Sequence, residues 1–152
     1  MCALTGAAAF PADAPLVPLT VCEVVRDLAA QEGRALAILG RYSFRANGRS
    51  LGEQACDPAA PIPPQLRLVE DGQDGPKLPE SYELDAAEVR RKLADMQKRT
   101  PLGKFRFGSP DYDRWAVVFG RVQAAKGADA QKMPADLAFR GDGVVMFLTP
   151  QQ

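Results

Sequence analysis

Four arginines and one tryptophan are the side chains through which this chain could bind a ligand. Guanidinium groups bind carboxylates and phosphates through paired hydrogen bonds, and an exposed aromatic ring adds a flat apolar contact. We therefore predict that any recognition surface uses Arg41, Arg45, Arg67, Trp115 and Arg121.

The absence of histidine limits the catalytic chemistry that the chain could perform. It excludes Ser-His-Asp and Cys-His arrangements, histidine general bases and most zinc sites. The glycines at 72 and 75 lack the strand-to-helix context of a phosphate-binding loop. We therefore expect a protein that is not an enzyme.

Asp111 and Asp113 lie two residues apart in a segment rich in turn-forming residues. Such a pair could contribute to a calcium site, but calcium takes about six to eight oxygen ligands from a defined loop. A turn that precedes a strand accounts for the same residues. We therefore expect no metal and no cofactor.

Nucleic-acid binding is the alternative function. Nineteen basic residues balance nineteen acidic ones, so the chain has no overall positive field. Tyr42 and Phe44 share the parity of Leu36 and Ile38 along one strand, and Trp115 alternates with the apolar residues of its own strand, which favours core positions over stacking surfaces. A basic groove would favour nucleic acid, whereas a mixed-charge face would favour another ligand.

Cys22 and Cys56 are the cysteines that fall within the predicted domain. In an exported protein they would form a disulfide between the first helix and the second strand, and in a cytosolic protein they would be buried thiols. Residues 2–10 are small and apolar and precede an Ala-Asp-Ala sequence, which is typical of the end of a secretory signal. The sequence therefore predicts a periplasmic or extracellular protein, with a cytoplasmic one as the alternative.

Capping residues predict two helices in a domain spanning residues 20–152, which follows a tail at residues 1–19. Thr20 and Glu23 have the spacing of a capping box, and Gly33 ends that helix. Asp85 begins a second helix that stops near residue 101. The predicted strands are 33–45, 50–56, 65–70, 114–124, 135–140 and 144–149.

This order of elements predicts an all-β fold, rich in strands and carrying two helices. Three strands, a helix and two or three further strands match the connectivity of a five-stranded OB-like barrel with a helix between strands three and four. A short helix precedes the barrel. Gly40 and Gly120 lie within the two longest strands, where a strongly bent barrel favours glycine.

Residues 20–56 resemble small bacterial proteins with an OB-like barrel, many of them exported and loosely similar to tRNA-anticodon-binding-like OB proteins. The resemblance rests on VCEVV at 21–25 and EGRALAILGR at 32–41, where Arg34 replaces the usual lysine of the strand entry. It implies a fold and no catalytic residues.

We therefore predict a non-catalytic binding or interaction module in the bacterial cell envelope. Its partner would be a protein, a glycan or a small ligand, and the protein would be a monomer or a weak homodimer. No run of about eighteen apolar residues occurs, so no membrane span is expected. The alternative is a cytosolic OB domain that binds single-stranded nucleic acid.

Overall fold

The structure, a computed structural model, describes residues 15–53, 55–56, 59, 62–99, 111–124 and 133–147. These residues form six strands and three helices, and strands predominate. The elements are β1 (Leu19–Thr20), α1 (Val21–Arg26), α2 (Leu28–Gln31), β2 (Ala35–Arg45), β3 (Gly48–Gly52), β4 (Gln65–Glu70), α3 (Ala86–Arg99), β5 (Tyr112–Ala124) and β6 (Ala135–Phe147).

Strands β2 to β6 close into a five-stranded barrel. The antiparallel pairs are β2 with β3, β3 with β4, β5 with β6 and β2 with β5, and β4 with β6 is a parallel pair. The predicted OB-like barrel is confirmed, with α3 between its third and fourth strands and a helical segment before it. The short strand β1 adds a parallel pairing to β2.

The last part of the barrel differs from the sequence prediction. β6, the last strand, lies between β4 and β5 and pairs with both. The two predicted closing strands are one continuous strand through residue 147, and residues 148–149 lie outside the described residues. Val118 pairs with Val144 and Gly120 with Phe139, so residues 140–143 form an irregularity that bends the strand without ending it.

The predicted bounds of two other strands also change. β3 begins at Gly48, directly after the turn at residues 46–47, and ends at Gly52 instead of continuing to Cys56. β5 begins at Tyr112, two residues earlier than predicted. In both cases pairing with β2 sets the bounds, since Gly48 pairs with Arg45 and Tyr112 with Phe44.

Helix α1 begins with the predicted capping box. The Thr20 hydroxyl accepts from the Glu23 N–H at 3.1 Å, and the Glu23 carboxylate accepts from the Thr20 N–H at 2.8 Å. The predicted continuous helix is wrong, since helical geometry breaks at Asp27 and resumes as α2. Gly33, with φ of +83°, adopts the left-handed conformation that follows the end of α2.

Glu23 also ties α1 to α3. The ammonium group of Lys92 donates to the Glu23 carboxylate at 2.9 Å and to the Pro18 carbonyl at 2.8 Å. Partial burial opposes ionisation, but the hydrogen bonds from Thr20 and Lys92 outweigh it and hold the pKa of Glu23 below its ordinary value.

The barrel interior forms one core, and α1 covers one end of it. Val21, Val24 and Val25 of α1 are buried against the inward side chains of the strands. A Cβ on Gly40 would lie 2.8 Å from Val21 Cγ2, and one on Gly120 would lie 2.8 Å from the Ala138 carbonyl oxygen. These glycines therefore leave room for close neighbours, which is why both long strands need them.

A second core lies outside the barrel, between α3 and the outward face of β2 and β5. Its buried members are Ala37, Leu39, Met96, Trp115, Val117 and Phe119. The two central strands are therefore covered on both faces, which explains the apolar character of both sides of β2 in its first half.

The described part of the predicted tail contacts this second core. Leu16 donates its N–H to the Glu83 carbonyl at 2.7 Å, and its carbonyl accepts from the Asp85 N–H at 2.8 Å. Leu16 and Leu84 pack at the edge of the core.

In the part of the chain that the structure describes, no helix combines the length and the apolar character needed to cross a membrane.

A disulfide joins Cys22 of α1 to Cys56, which confirms the predicted pairing. Because β3 ends at Gly52, the bridge anchors the segment after the strand and not the strand itself. It closes a loop between cysteines 34 residues apart that contains α1, α2, β2 and β3. Cross-linking a loop of this length restricts the unfolded chain.

Loss of this disulfide should destabilise the protein. For the observed sequence separation of 34 residues, the chain-entropy relation gives a loss of about 3 to 4 kcal/mol in the free energy of unfolding. Urea unfolding of Cys22→Ser/Cys56→Ser should show this loss, and Cys2→Ser, which keeps the bridge, serves as the control. An unchanged unfolding midpoint in the double variant would contradict the prediction.

Candidate functional site

The outward surface of β2, β3 and β4 forms a trough whose floor is β3. Leu51 points into the barrel and is fully buried, so Gly48, Ser50 and Gly52 point outward. None of these three carries a side chain larger than a hydroxymethyl group. The middle strand therefore contributes no bulk, and the side chains of its neighbours stand above it.

Arginines from the two flanking strands form the walls of the trough. Arg41 and Arg45 come from β2, and Arg67 comes from β4. The enclosed volume is about 380 Å³, and the other lining residues are Ser43, Asn47, Gly48, Arg49, Ser50, Gln65, Leu68 and Met133. Three of the five residues predicted to form a recognition surface thus line one cavity. Its charged lining residues, within the described chain, are all arginines.

A buried carboxylate holds Arg45 in position. Asp113 is fully buried, and Nη2 of Arg45 donates to its two oxygens at 3.0 and 3.1 Å. The Ser43 hydroxyl donates to the same carboxylate at 2.5 Å, and Nη1 of Arg45 donates to the carbonyls of Phe44 and Tyr112. A buried charge requires such partners, so Arg45 is first of all a structural part of the wall.

In this arrangement Asp113, the second carboxylate of the calcium hypothesis, is occupied by other partners. Asp113 is bonded to Arg45 and Ser43 and does not face an open loop. Within the described ranges, no group of three or more histidine, cysteine, aspartate or glutamate side chains could hold a metal ion.

Arg67 is oriented by a carboxylate on the neighbouring strand. Its Nε and Nη2 donate to the two oxygens of Asp136 at 3.0 and 3.1 Å. The two residues are direct partners in the β4–β6 pairing. Two parallel bonds fix the plane of a guanidinium group, and this one stays half-exposed on the wall of the trough.

Arg49 lies where the trough meets the open end of the barrel. It donates to the Tyr42 hydroxyl and to Glu70, each at 3.2 Å, and its guanidinium lies 5.2 Å from the ring centre of Phe139. Burial opposes its charge, but the bonds to Tyr42 and Glu70 outweigh burial and raise the pKa of Arg49. Burial in turn raises the pKa of Tyr42.

The trough is a mixed-charge face and not a uniformly basic groove. Four arginines line it, and three carboxylates pair with them from the same or adjoining strands. The pairs are Arg45–Asp113, Arg49–Glu70 and Arg67–Asp136. Most of the positive charge at the surface is therefore compensated nearby, which reduces the field that a polyanion would experience.

Two of the five predicted residues are not part of the trough. Trp115 is fully buried in the outer core, because α3 covers the outward face of β5. Arg121 pairs with Ala35 at the far end of β2. Its side chain donates to the carbonyls of Gly33 and Asp74, so it connects the two turns that contain these residues. Neither side chain lines the trough, so these two predicted residues do not share a surface with the other three.

A smaller polar cavity of about 190 Å³ lies between α1 and α3. It is lined by Thr20, Cys22, Glu23, Arg26, Arg91, Lys92, Asp95 and Arg99. Lys92 is paired with Glu23, and Arg99 is paired with Asp95 at 3.0 Å. The Lys92–Glu23 pair joins the two helices and the Arg99–Asp95 pair lies within α3, so the cavity is best explained as part of the polar contact between the helices.

Glu53 is the buried carboxylate beside this cavity, and the sequence carried no signal for it. Its side chain accepts from the Cys22 N–H at 2.8 Å and from Arg99 Nη2 at 3.3 Å. Burial raises the pKa of Glu53, although both hydrogen bonds act in the opposite direction. Glu53 thus joins the end of β3, α1 and α3 next to the disulfide.

The floor of the trough was readable from the sequence, and the carboxylates behind its walls were not. Gly48, Ser50 and Gly52 alternate with Arg49 and Leu51, which is the period of a strand with one bare face. Asp136 and Asp113 reach the arginines through pairings between distant strands, and single-strand patterns do not contain that information.

No family model, no curated protein and no solved structure matches this chain. Its function therefore has to be inferred from the trough and from the groups that surround it.

Removal of Arg45 should destabilise the fold, because the buried Asp113 carboxylate would lose the hydrogen bonds and the ion pair that Arg45 provides. We expect Arg45→Met to lower the free energy of unfolding, measured in urea, by about 3–5 kcal/mol. Arg67→Met is the matched control: it breaks a more exposed pair and should cost about 1 kcal/mol or less. Replacing both residues, as Arg45→Met/Asp113→Leu, should recover most of the loss. Equal losses in the two single variants would contradict this account.

Glu53 should make stability depend on pH in a defined direction. Its folded pKa lies above the ordinary value of 4.5, so the folded protein holds the proton more tightly than the unfolded chain does. The contribution of Glu53 is therefore fully present below about pH 4.5 and is lost as the pH rises through the raised folded pKa.

Glu53→Gln provides the comparison, because the amide oxygen can still accept from the Cys22 N–H. The free energy of unfolding of the natural protein minus that of the variant should fall as the pH rises through this window, as measured by urea unfolding at a series of pH values. A difference that stays constant or rises with pH would show that Glu53 does not titrate as stated.

Proposed function

We propose that this protein is a non-catalytic binding module that holds an anionic, hydrogen-bonding ligand in the trough on β2, β3 and β4. The observation that carries the proposal is the combination of a floor without bulky side chains and walls of arginine. Within the described chain, the trough is the cavity in which cationic side chains stand around a floor that carries no large side chains.

The dimensions of the trough suit a small ligand or a short stretch of a longer one. The part of β3 that lines it, residues 48–50, is roughly 10 Å long. The flanking strands β2 and β4 lie two strand spacings apart, which is about 10 Å. A volume of about 380 Å³ falls within the range of small-ligand sites.

The chemistry of the lining favours a ligand with both negative charge and polar groups. The planes of Arg45 and Arg67 are fixed by paired bonds to carboxylates, so little side-chain freedom is lost when a ligand binds beside them. Ser50, Gln65 and Asn47 add hydroxyl and amide groups to the same cavity.

The disulfide supports a location in an oxidising compartment. Disulfides persist in secreted and periplasmic proteins and are rare in the cytosol. The Cys22–Cys56 bridge therefore favours the exported, cell-envelope protein over its cytosolic alternative. The oligomeric state, a monomer or a weak homodimer, stays a prediction from sequence.

The described surface offers less support for single-stranded nucleic acid. Such proteins combine a positive groove with aromatic rings on which bases stack. Here Tyr42 and Trp115 are buried, and three of the four arginines have carboxylate partners. A mixed-charge trough favours a smaller or less highly charged ligand.

Citrate and inorganic phosphate are suitable first probes, titrated into ¹⁵N-labelled protein at constant ionic strength. We expect the amide signals of residues 48–52 and 65–67 to shift, and Arg41→Gln/Arg67→Gln to weaken binding at least tenfold. Two arginine–anion contacts of about 1.5–3 kcal/mol each account for such a loss.

Arg91→Gln is the matched control, because Arg91 is an exposed arginine on α3 that is paired with Glu88 and lies away from the trough. It should leave the titration unchanged. Shifts confined to α1 and α3, or equal losses in both variants, would place anion binding elsewhere and refute the proposed site.

A further inference from the structure

We infer that the ligand of the trough is an acidic glycan: a short stretch of uronate-bearing polysaccharide that lies along β3. This inference rests on the proposed function and adds the chemical class of the ligand. Three properties of the trough carry it, namely the placement of the arginines, the pairing of arginine with carboxylate, and the absence of aromatic side chains on the described face.

The arginines stand at successive levels on opposite walls. Arg41 pairs with Gly52, and Arg67 pairs with Ser50, so the two differ by two residues along the floor. This separation is about 7 Å along the trough. A polymer lying on β3 therefore meets cations at intervals and on alternate sides, which suits a linear chain whose units each carry one carboxylate.

The partly exposed Arg67–Asp136 pair suits hydroxyl groups as well as anions. At Arg67, a guanidinium that donates lies beside the Asp136 carboxylate, which only accepts. A sugar hydroxyl both donates and accepts, so it can bond to both members of such a pair. Phosphate diesters and simple carboxylates have only acceptors, so they can bond to Arg67 but not to Asp136.

The described face provides no aromatic ring on which a nucleobase could stack. The outward residues of β2 beyond the outer core are Arg41, Ser43 and Arg45, and those of β3 are glycine and serine. Tyr42 and Phe44 point to the inner side and pack with the barrel core. Stacking of bases on aromatic rings is a main source of affinity in proteins that bind single strands, and this face lacks such rings. A hydroxylated acidic chain is therefore the better match.

The test uses three probes of similar length: a galacturonate hexasaccharide, its fully methyl-esterified form and a dT hexanucleotide. The ester keeps the sugar hydroxyls and removes the charge. By calorimetry at constant ionic strength, we expect the acidic sugar to bind at least tenfold more tightly than the ester and than the oligonucleotide. Arg41→Gln and Arg67→Gln should each weaken its binding at least fivefold, and Arg91→Gln should not.

Two further measurements guard against a folding defect in the variants. The unfolding midpoint of each variant is compared with that of the natural protein, and Arg67→Lys tests whether a charge without the planar fork is sufficient. We expect Arg67→Lys to fold normally and to bind the acidic sugar about as weakly as Arg67→Gln. Full binding by the lysine variant would overturn the paired recognition by Arg67 and Asp136.

The outcomes separate this inference from the proposed function. If citrate or phosphate shifts the signals of the trough but the acidic hexasaccharide does not bind, or binds no better than its ester, the glycan inference is wrong and the anion site remains. Tighter binding of the oligonucleotide through Arg41 and Arg67 would identify nucleic acid as the ligand. If no anion perturbs residues 48–52, the proposed function and the inference fail together.

Discussion

The pairing of β2 with β5 is the constraint on which the rest of the structure depends. The two strands form ten paired positions, from Ala35–Arg121 to Phe44–Tyr112, and each strand is buried on both faces over much of its length. The inward face makes the barrel core with α1, and the outward face makes a second core with α3. Because one ladder separates two cores, the barrel cannot shift its register without exposing apolar groups on both sides.

The trough begins at the point along β2 beyond which α3 no longer covers the outward face of the strand. Its outward residues change from Ala37 and Leu39, which are covered, to Arg41 and Arg45, which line the cavity. The change from apolar to polar on this face of the strand is visible in the sequence, where Ala37 and Leu39 are followed at the same parity by residues 41, 43 and 45, which are arginine, serine and arginine. Three predicted site residues are found together because they share this open face. The alternation that predicts a strand thus also locates its exposed side.

What the sequence could not supply were the partners contributed by distant strands. The sequence predicts Trp115 as a surface residue, although it alternates with apolar residues. The pattern of a single strand does not show whether a helix will cover its outward face. The parallel pairing of β4 with β6, which brings Asp136 to Arg67, depends on the last strand entering between two earlier ones. The burial of Glu53 likewise depends on its contacts with α1 and α3, and that of Asp113 on its contacts with β2. Each of these is a tertiary effect that overrides local preference.

Compensated charge is the property that connects the fold with the chemistry of the trough. An arginine without a nearby carboxylate would attract any polyanion through its long-range field, which salt screens and which carries no shape information. An arginine held by Asp113 or Asp136 has lost much of that field but keeps a fixed direction. Under the proposed function, recognition depends on short-range geometry, since a ligand gains only if its acidic groups and hydroxyls meet donors and acceptors that are already in place. We propose that the same ion pairs that position the walls of the trough would make it selective for ligands that both donate and accept hydrogen bonds.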